Sequence, residues 1–148
     1  MPPSLQILEG GWLLLRDAAS NIRRVVFIEE QHVPREEEWD GRDLESHHFL
    51  ALIDGRPVGT ARLLPDAHIG RVAVLAEARG RGIGVALMQA AIATARRHGH
   101  TAVELAAQTH ALAFYEGLGF RPFGDEFIEA GILHRNMQLA LPALHPLT

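Results

Sequence analysis

The sequence predicts a mixed α/β fold of the α+β type, and three observations lead to it. Short apolar segments with strand periodicity recur along the chain, bounded by glycine, proline and aspartate. Two longer segments carry their apolar residues at helical spacing instead. The 148 residues suffice for one domain with a real core, and 47% of them are apolar. We therefore expect a single domain over 1–148, with helices covering a mixed sheet of about six to seven strands.

Each element follows in order. Residues 5–8 read as a short first strand. From 11 to about 28, Trp12, Leu15, Ala19, Ile22 and Val26 recur at helical spacing, which predicts an amphipathic helix with a break near Ser20. Residues 29–45 are polar, strongly acidic and interrupted by Pro34, the composition of a loop. Residues 48–53 are short and apolar, Asp54-Gly55 is a hairpin turn signal, and 57–64 return as the next strand. Residues 69–75 alternate as a third strand. A glycine-rich turn then opens a helix from about 82 to 98, stopped by Gly99. Residues 101–107 form a strand, 109–118 a short helix, and 120–127 with 132–141 a final pair of strands. Leaving the first strand aside, the order is α-β-β-β-α-β-α-β-β.

Composition excludes several functions. The net charge of −4 and the scattered arginines argue against nucleic acid as a partner. No apolar run is long enough to cross a membrane, and the start MPPSLQILEGG lacks the pattern of a signal peptide, so the expected location is the cytoplasm. Cysteine is absent, which removes disulfides, thiolate metal sites and an acyl-cysteine intermediate. Lysine is absent too: all 14 basic residues are arginine, so neither a Walker phosphate loop nor a Schiff base is available. The adjacent His47 and His48 point to opposite sides of a strand, and no metal site is expected from the histidines.

The stretch ARGRGIGVALM (78–88) places glycines just before a helix. Unpaired N–H groups and the positive end of the helix dipole make such a turn an anion site, and glycine lets the backbone come close to phosphate oxygens. The spacing Gly80-x-Gly82-x-Gly84 does not fit the dinucleotide fingerprint, because Val85 stands where its third glycine belongs. Glycines placed for packing alone are the other reading of this turn.

Arg79-x-x-Gly82-x-Gly84 resembles the R/Q-x-x-G-x-G/A signature of the GNAT superfamily of acetyl-coenzyme A dependent N-acetyltransferases. AFYEGLGF (113–120) resembles the segment that carries the family's tyrosine. VFIEEQHVP (26–34), the acidic loop ending in His48, AQT (107–109) and EFIEAGILHRNM (126–137) are similar to the ElaA/YjcF-like branch. The resemblance covers nearly the whole chain, from about 6 to 139. The resemblance implies a GNAT fold: a curved mixed sheet, helices on both faces, and a cleft where the fourth and fifth strands splay apart. It implies that acetyl-CoA is the cosubstrate. Its pantetheine arm would lie against Val72, Ala73 and Val74, and its pyrophosphate against the N–H groups of Arg79, Gly80, Arg81, Gly82, Ile83, Gly84 and Val85.

Acetyl transfer to an amine needs a neutral nucleophile, a donor for the carbonyl oxygen and a proton for the departing thiolate. Tyr115, the only tyrosine, matches the family's tyrosine and is the expected acid; a core tyrosine is the alternative. His134 resembles a general base, with an imidazole suited to neutral pH, and Glu126, Glu129 or water are its competitors. For the acceptor side, Glu30 and Gln31 match the branch, His48 does so too, Arg71 suits an anionic group or a surface ion pair, and Gln108 follows Ala106, where relatives often have asparagine. The acidic loop is either a solvated face or an attraction for a cationic amine. The expected activity is acetyl transfer to a primary amine of a small-molecule acceptor in a ternary complex. An acyl-CoA-binding sensor with little turnover is the alternative. The apolar tail LALPALHPL (139–147) suits a homodimer contact or packing on its own domain.

Overall fold

The computed structural model describes residues 4–142. Among them, β1 (Leu5–Gly10), β2 (His47–Ile53), β3 (Arg56–Leu63) and β4 (Ile69–Val74) form one sheet in that order, each antiparallel to the next. β5 (Ala102–Gln108), β6 (Arg121–Glu129) and β7 (Ile132–Ala140) form a second sheet with β7 in the middle. Two tight turns set the register of the hairpins. Asp54 and Gly55 take φ of 49° and 81°, and Ala130 and Gly131 take 53° and 75°. Paired left-handed residues match the twist of the strands they join.

Helices cover both faces. α1 (Trp12–Arg23) lays Leu15, Ile22 and, just beyond its end, Val26 on Leu50, Leu52, Ala73 and Leu75. α3 (Ile83–Arg97) packs Ile83, Leu87, Met88 and Ala91 against the opposite face, with Phe49, Val58, Ala61 and Val103. The alternation along β2 and β4 divides their side chains between these two cores.

Two expectations need correction. No break occurs near Ser20: α1 runs through it and winds on as a π-helical segment, Arg24–Glu30. Arg23 and Val26, on either side of the junction, are both buried. The acidic stretch is not an open loop either. It contains the short helix α2 (Arg35–Glu38), and Glu38 and Asp43 are buried. Of the apolar tail 139–147, expected to meet a partner chain or pack on its own domain, residues 143–147 lie outside the described residues, and Leu141 is buried in the main core.

His48 is buried, packs with its ring tilted against Trp12 at 4.7 Å and places Nε2 2.9 Å from the Asp43 carbonyl oxygen. Burial pushes its imidazole below the ordinary value, as it does for His47. Stability from such a group is complete above the unfolded pKa of about 6.5 and is lost as pH falls through the lower folded value. The urea midpoint is therefore expected to be level above neutrality and to fall from about pH 6.5 downward. His48→Gln should make that fall shallower; an unchanged slope would rule out the His48 contribution.

Candidate active site

The two sheets meet at one point. Glu104 N donates to the Ala67 carbonyl at 3.1 Å, and His68 pairs with Glu104 as an isolated parallel bridge. Beyond it β4 and β5 separate, because no ladder joins them among the described residues. The opening leads into a cavity of about 620 Å³ lined from β4 by Gly70, Arg71 and Val72 and from β5 by Leu105, Ala106 and Gln108.

A bulge shapes the β4 wall. Thr60 pairs with Ala73 and Arg62 with Gly70, so Arg71 and Val72 together stand opposite Ala61. Arg71 takes φ of 52°, a strained conformation for a residue with a side chain. The bulge breaks the alternation, and its two residues, Arg71 and Val72, both line the cavity. Arg71 is held there by Glu38 at 2.9 Å and Asp40 at 3.2 Å, and it donates to the carbonyl oxygens of Glu37 and Glu38.

Behind this wall is a network of three arginines and three carboxylates. Arg23 reaches Glu38 at 2.6 Å and Asp43 at 2.7 Å, and Arg62 reaches Asp40 at 2.8 Å and Asp43 at 3.1 Å. Arg23 is 1% exposed and lies between the rings of Trp12 and Trp39, at 5.3 and 4.9 Å from their centres. Burial alone would raise the Asp43 carboxyl, but hydrogen bonds and charge from Arg23 and Arg62 outweigh it and hold it below the ordinary range. Asp40 is held lower still, against its burial, by Arg62, the Arg42 amide and Arg71.

Tyr115 and His134 face the cavity from other elements. Tyr115, on α4 (Leu112–Gly117), packs edge-on against Phe114 and Phe120, and burial pushes its phenol up to about 12. His134, on β7, is 8% exposed and stacks on Phe127 at 5.7 Å. Its Nδ1 donates to the Ile132 carbonyl oxygen at 2.7 Å, and Nε2 has no protein partner. Glu129 lines the same cavity, and Glu126 does not.

The glycine turn lies at the start of α3. Ala86 is the first residue whose N–H bonds within the helix, to Gly82, which leaves the N–H groups of Ile83, Gly84 and Val85 ahead of it. Gly80 and Gly82 have φ of 80° and 75°. A Cβ at either would meet no protein atom within 4 Å, so within the protein itself what calls for glycine there is the left-handed backbone. Gly84 differs: a Cβ there would come 3.2 Å from the Phe114 ring. Two of the three glycines thus sit at left-handed positions with open space above them, and the third is in close packing contact with Phe114.

The expected acceptor residues separate into two groups. Gln31 and Gln108 line the cavity and join each other, Gln108 Nε2 donating to Gln31 Oε1 at 2.8 Å. Arg71 also lines it, but inside an ion-pair network. Glu30 faces away, in a two-pronged ion pair with Arg79 at 2.8 Å for both contacts, while Arg79 Nε donates to the Val74 carbonyl at 3.0 Å. His48 is in the core and does not reach the cavity. Sequence reading missed Arg23 and Arg62. The signal for Arg23 was present: it falls on the apolar stripe of α1 between Ile22 and Val26.

The family model described as an acetyltransferase (GNAT) domain matches residues 18–141. The chain belongs to the GNAT family. GNAT acyltransferases use acyl-CoA cosubstrates. Within the family it falls in the ElaA/YjcF-like branch. YjcF of Bacillus subtilis is 38% identical over 120 residues, covering 78% of this chain and 86% of YjcF. The crystal structure of Escherichia coli ElaA, 32% identical, superposes with a TM-score of 0.77 over 93% of this chain and 99% of ElaA. An acyl-CoA N-acyltransferase from Pseudomonas aeruginosa, 34% identical, gives 0.82 over 93% and 100%. The separated β4 and β5 correspond to the GNAT cleft, and no helix among the described residues is long and apolar enough to cross a membrane.

Proposed function

We propose that this GNAT protein transfers an acetyl group from acetyl-CoA to a primary amine of a small acceptor, directly, within a ternary complex. The observation that carries the reading is the pair Tyr115 and His134 facing one cavity at the open side of the β4/β5 cleft. The free N–H groups of Ile83, Gly84 and Val85, with the open space above Gly80 and Gly82, suit a diphosphate. Arg79 and Arg81 are exposed beside them. The edge of β4 at Val72, Ala73 and Val74 suits the pantetheine arm.

When bound, the thioester supplies the acetyl group, and coenzyme A leaves as the thiol. His134 Nε2 takes the proton that the amine must lose as the C–N bond forms. Tyr115 gives its proton to the sulfur as the C–S bond breaks, and burial keeps that phenol protonated at working pH. β4 offers backbone N–H groups to the developing oxyanion. Direct transfer agrees with a chain that has no cysteine to hold the acetyl group.

Calorimetric titration with acetyl-CoA tests the cosubstrate. The native protein is expected to bind it. Gly82→Glu, which forces a side chain onto a left-handed residue and sets a carboxylate before the phosphate site, should weaken binding at least about tenfold. A native protein that is folded and does not bind acetyl-CoA would overturn the assignment. Binding without turnover on any amine would favour the sensor reading.

A further inference from the structure

The cavity wall carries charges of both signs, and their pairing indicates which sign is left for the acceptor. Arg42, Arg62 and Arg71 all line the cavity, and each is already neutralised. Arg42 contacts Glu45 at 2.6 Å, Arg62 contacts Asp40 and Asp43, and Arg71 contacts Glu38 and Asp40. Arg23, behind them, completes a set of three arginines facing three carboxylates. The earlier idea that Arg71 holds an anionic acceptor thus meets a guanidinium whose charge is spent inside the fold.

Carboxylates remain. Glu36, Glu37 and Glu129 line the same cavity from α2 and from the end of β6, all three solvent-exposed. None forms an ion pair within 4.0 Å among the described residues. A second, independent feature points to a ligand in this space. His134 is more than nine-tenths buried, its Nδ1 is satisfied by Ile132, and its Nε2 has no protein partner while the residue lines the cavity. The cavity therefore joins an unpartnered imidazole nitrogen to a wall of uncompensated negative charge.

We propose that the acceptor is a primary amine bearing a second cationic group, of which a linear diamine is the simplest member. This rests on the acetyltransferase reading above. One nitrogen is acylated beside Tyr115 and His134. The other stays protonated, takes no part in the transfer, and is held by Glu36, Glu37 and Glu129. An acceptor with a carboxylate in place of the second ammonium meets repulsion from the same three groups.

The test is equilibrium titration of the protein loaded with coenzyme A. The ligands are 1,4-diaminobutane, 1-aminobutane and 4-aminobutanoate, which share a four-carbon chain and differ in the charge at its far end. The diamine is expected to bind at least about tenfold more tightly than either of the others, with the advantage shrinking as salt is raised. The triple variant Glu36→Gln, Glu37→Gln, Glu129→Gln should abolish most of that advantage. Equal affinity, tighter binding of 4-aminobutanoate, or no binding of the diamine would overturn the inference. The two readings fail differently. Loss of diamine preference in a protein that binds coenzyme A removes only the acceptor class, whereas failure to bind coenzyme A removes the acetyltransferase reading and this inference with it.

Discussion

Replacing Arg23 with methionine is expected to destabilise the protein by about 3–5 kcal/mol, read as a shift in urea unfolding. The guanidinium is 1% exposed and bridges Glu38 and Asp43 between two tryptophan rings. Removing it leaves two buried carboxylates short of a partner, and that uncompensated charge is the larger part of the cost. Arg62 and Arg71 remain as their other contacts, so the effect falls short of the full penalty for isolated ions. The control is a cycle. Adding Glu38→Gln and Asp43→Asn to Arg23→Met should recover part of the lost stability, because neutral amides tolerate burial better than unpaired carboxylates. A loss below about 1 kcal/mol in the single variant would show that the network is not electrostatically coupled as described.

Tyr115→Phe is expected to lower kcat by about tenfold to a hundredfold, or about 1.4–2.7 kcal/mol in the barrier, with acetyl-CoA affinity retained. Phenylalanine keeps the ring packing against Phe114 and Phe120, at 5.0 and 6.1 Å, and removes only the hydroxyl. The readout is steady-state turnover beside a binding titration. Because burial moves the phenol to about 12, its ionisation should not produce a basic limb near the ordinary tyrosine value of about 10. Turnover equal to native would eliminate Tyr115 as the acid and leave the aromatic packing as its whole role.

Much of this protein is legible before it folds. The turn at Asp54-Gly55, the stripe from Leu15 to Val26 and the glycines ahead of α3 are local signals. They act over a few residues through backbone sterics and side-chain periodicity, which a linear sequence carries in full. The GNAT family was legible for the same reason, since its marks are short segments in fixed order. Charge partners were not. Arg23 meets carboxylates 15 and 20 positions away, and Arg79 meets Glu30 across 49. Such pairs form where strand register and helix packing bring segments together, and spacing along the chain does not encode that distance. The bulge at Arg71 is of the same kind: it arises from a mismatch between two strands, so Ile69–Val74 read alone shows only alternation. By itself, then, the sequence determined most of the elements, the glycine turn ahead of α3 and the two candidate proton carriers. The tertiary structure decided which charges are spent on holding the fold and which remain on the cavity wall, because neutralisation depends on contact in space.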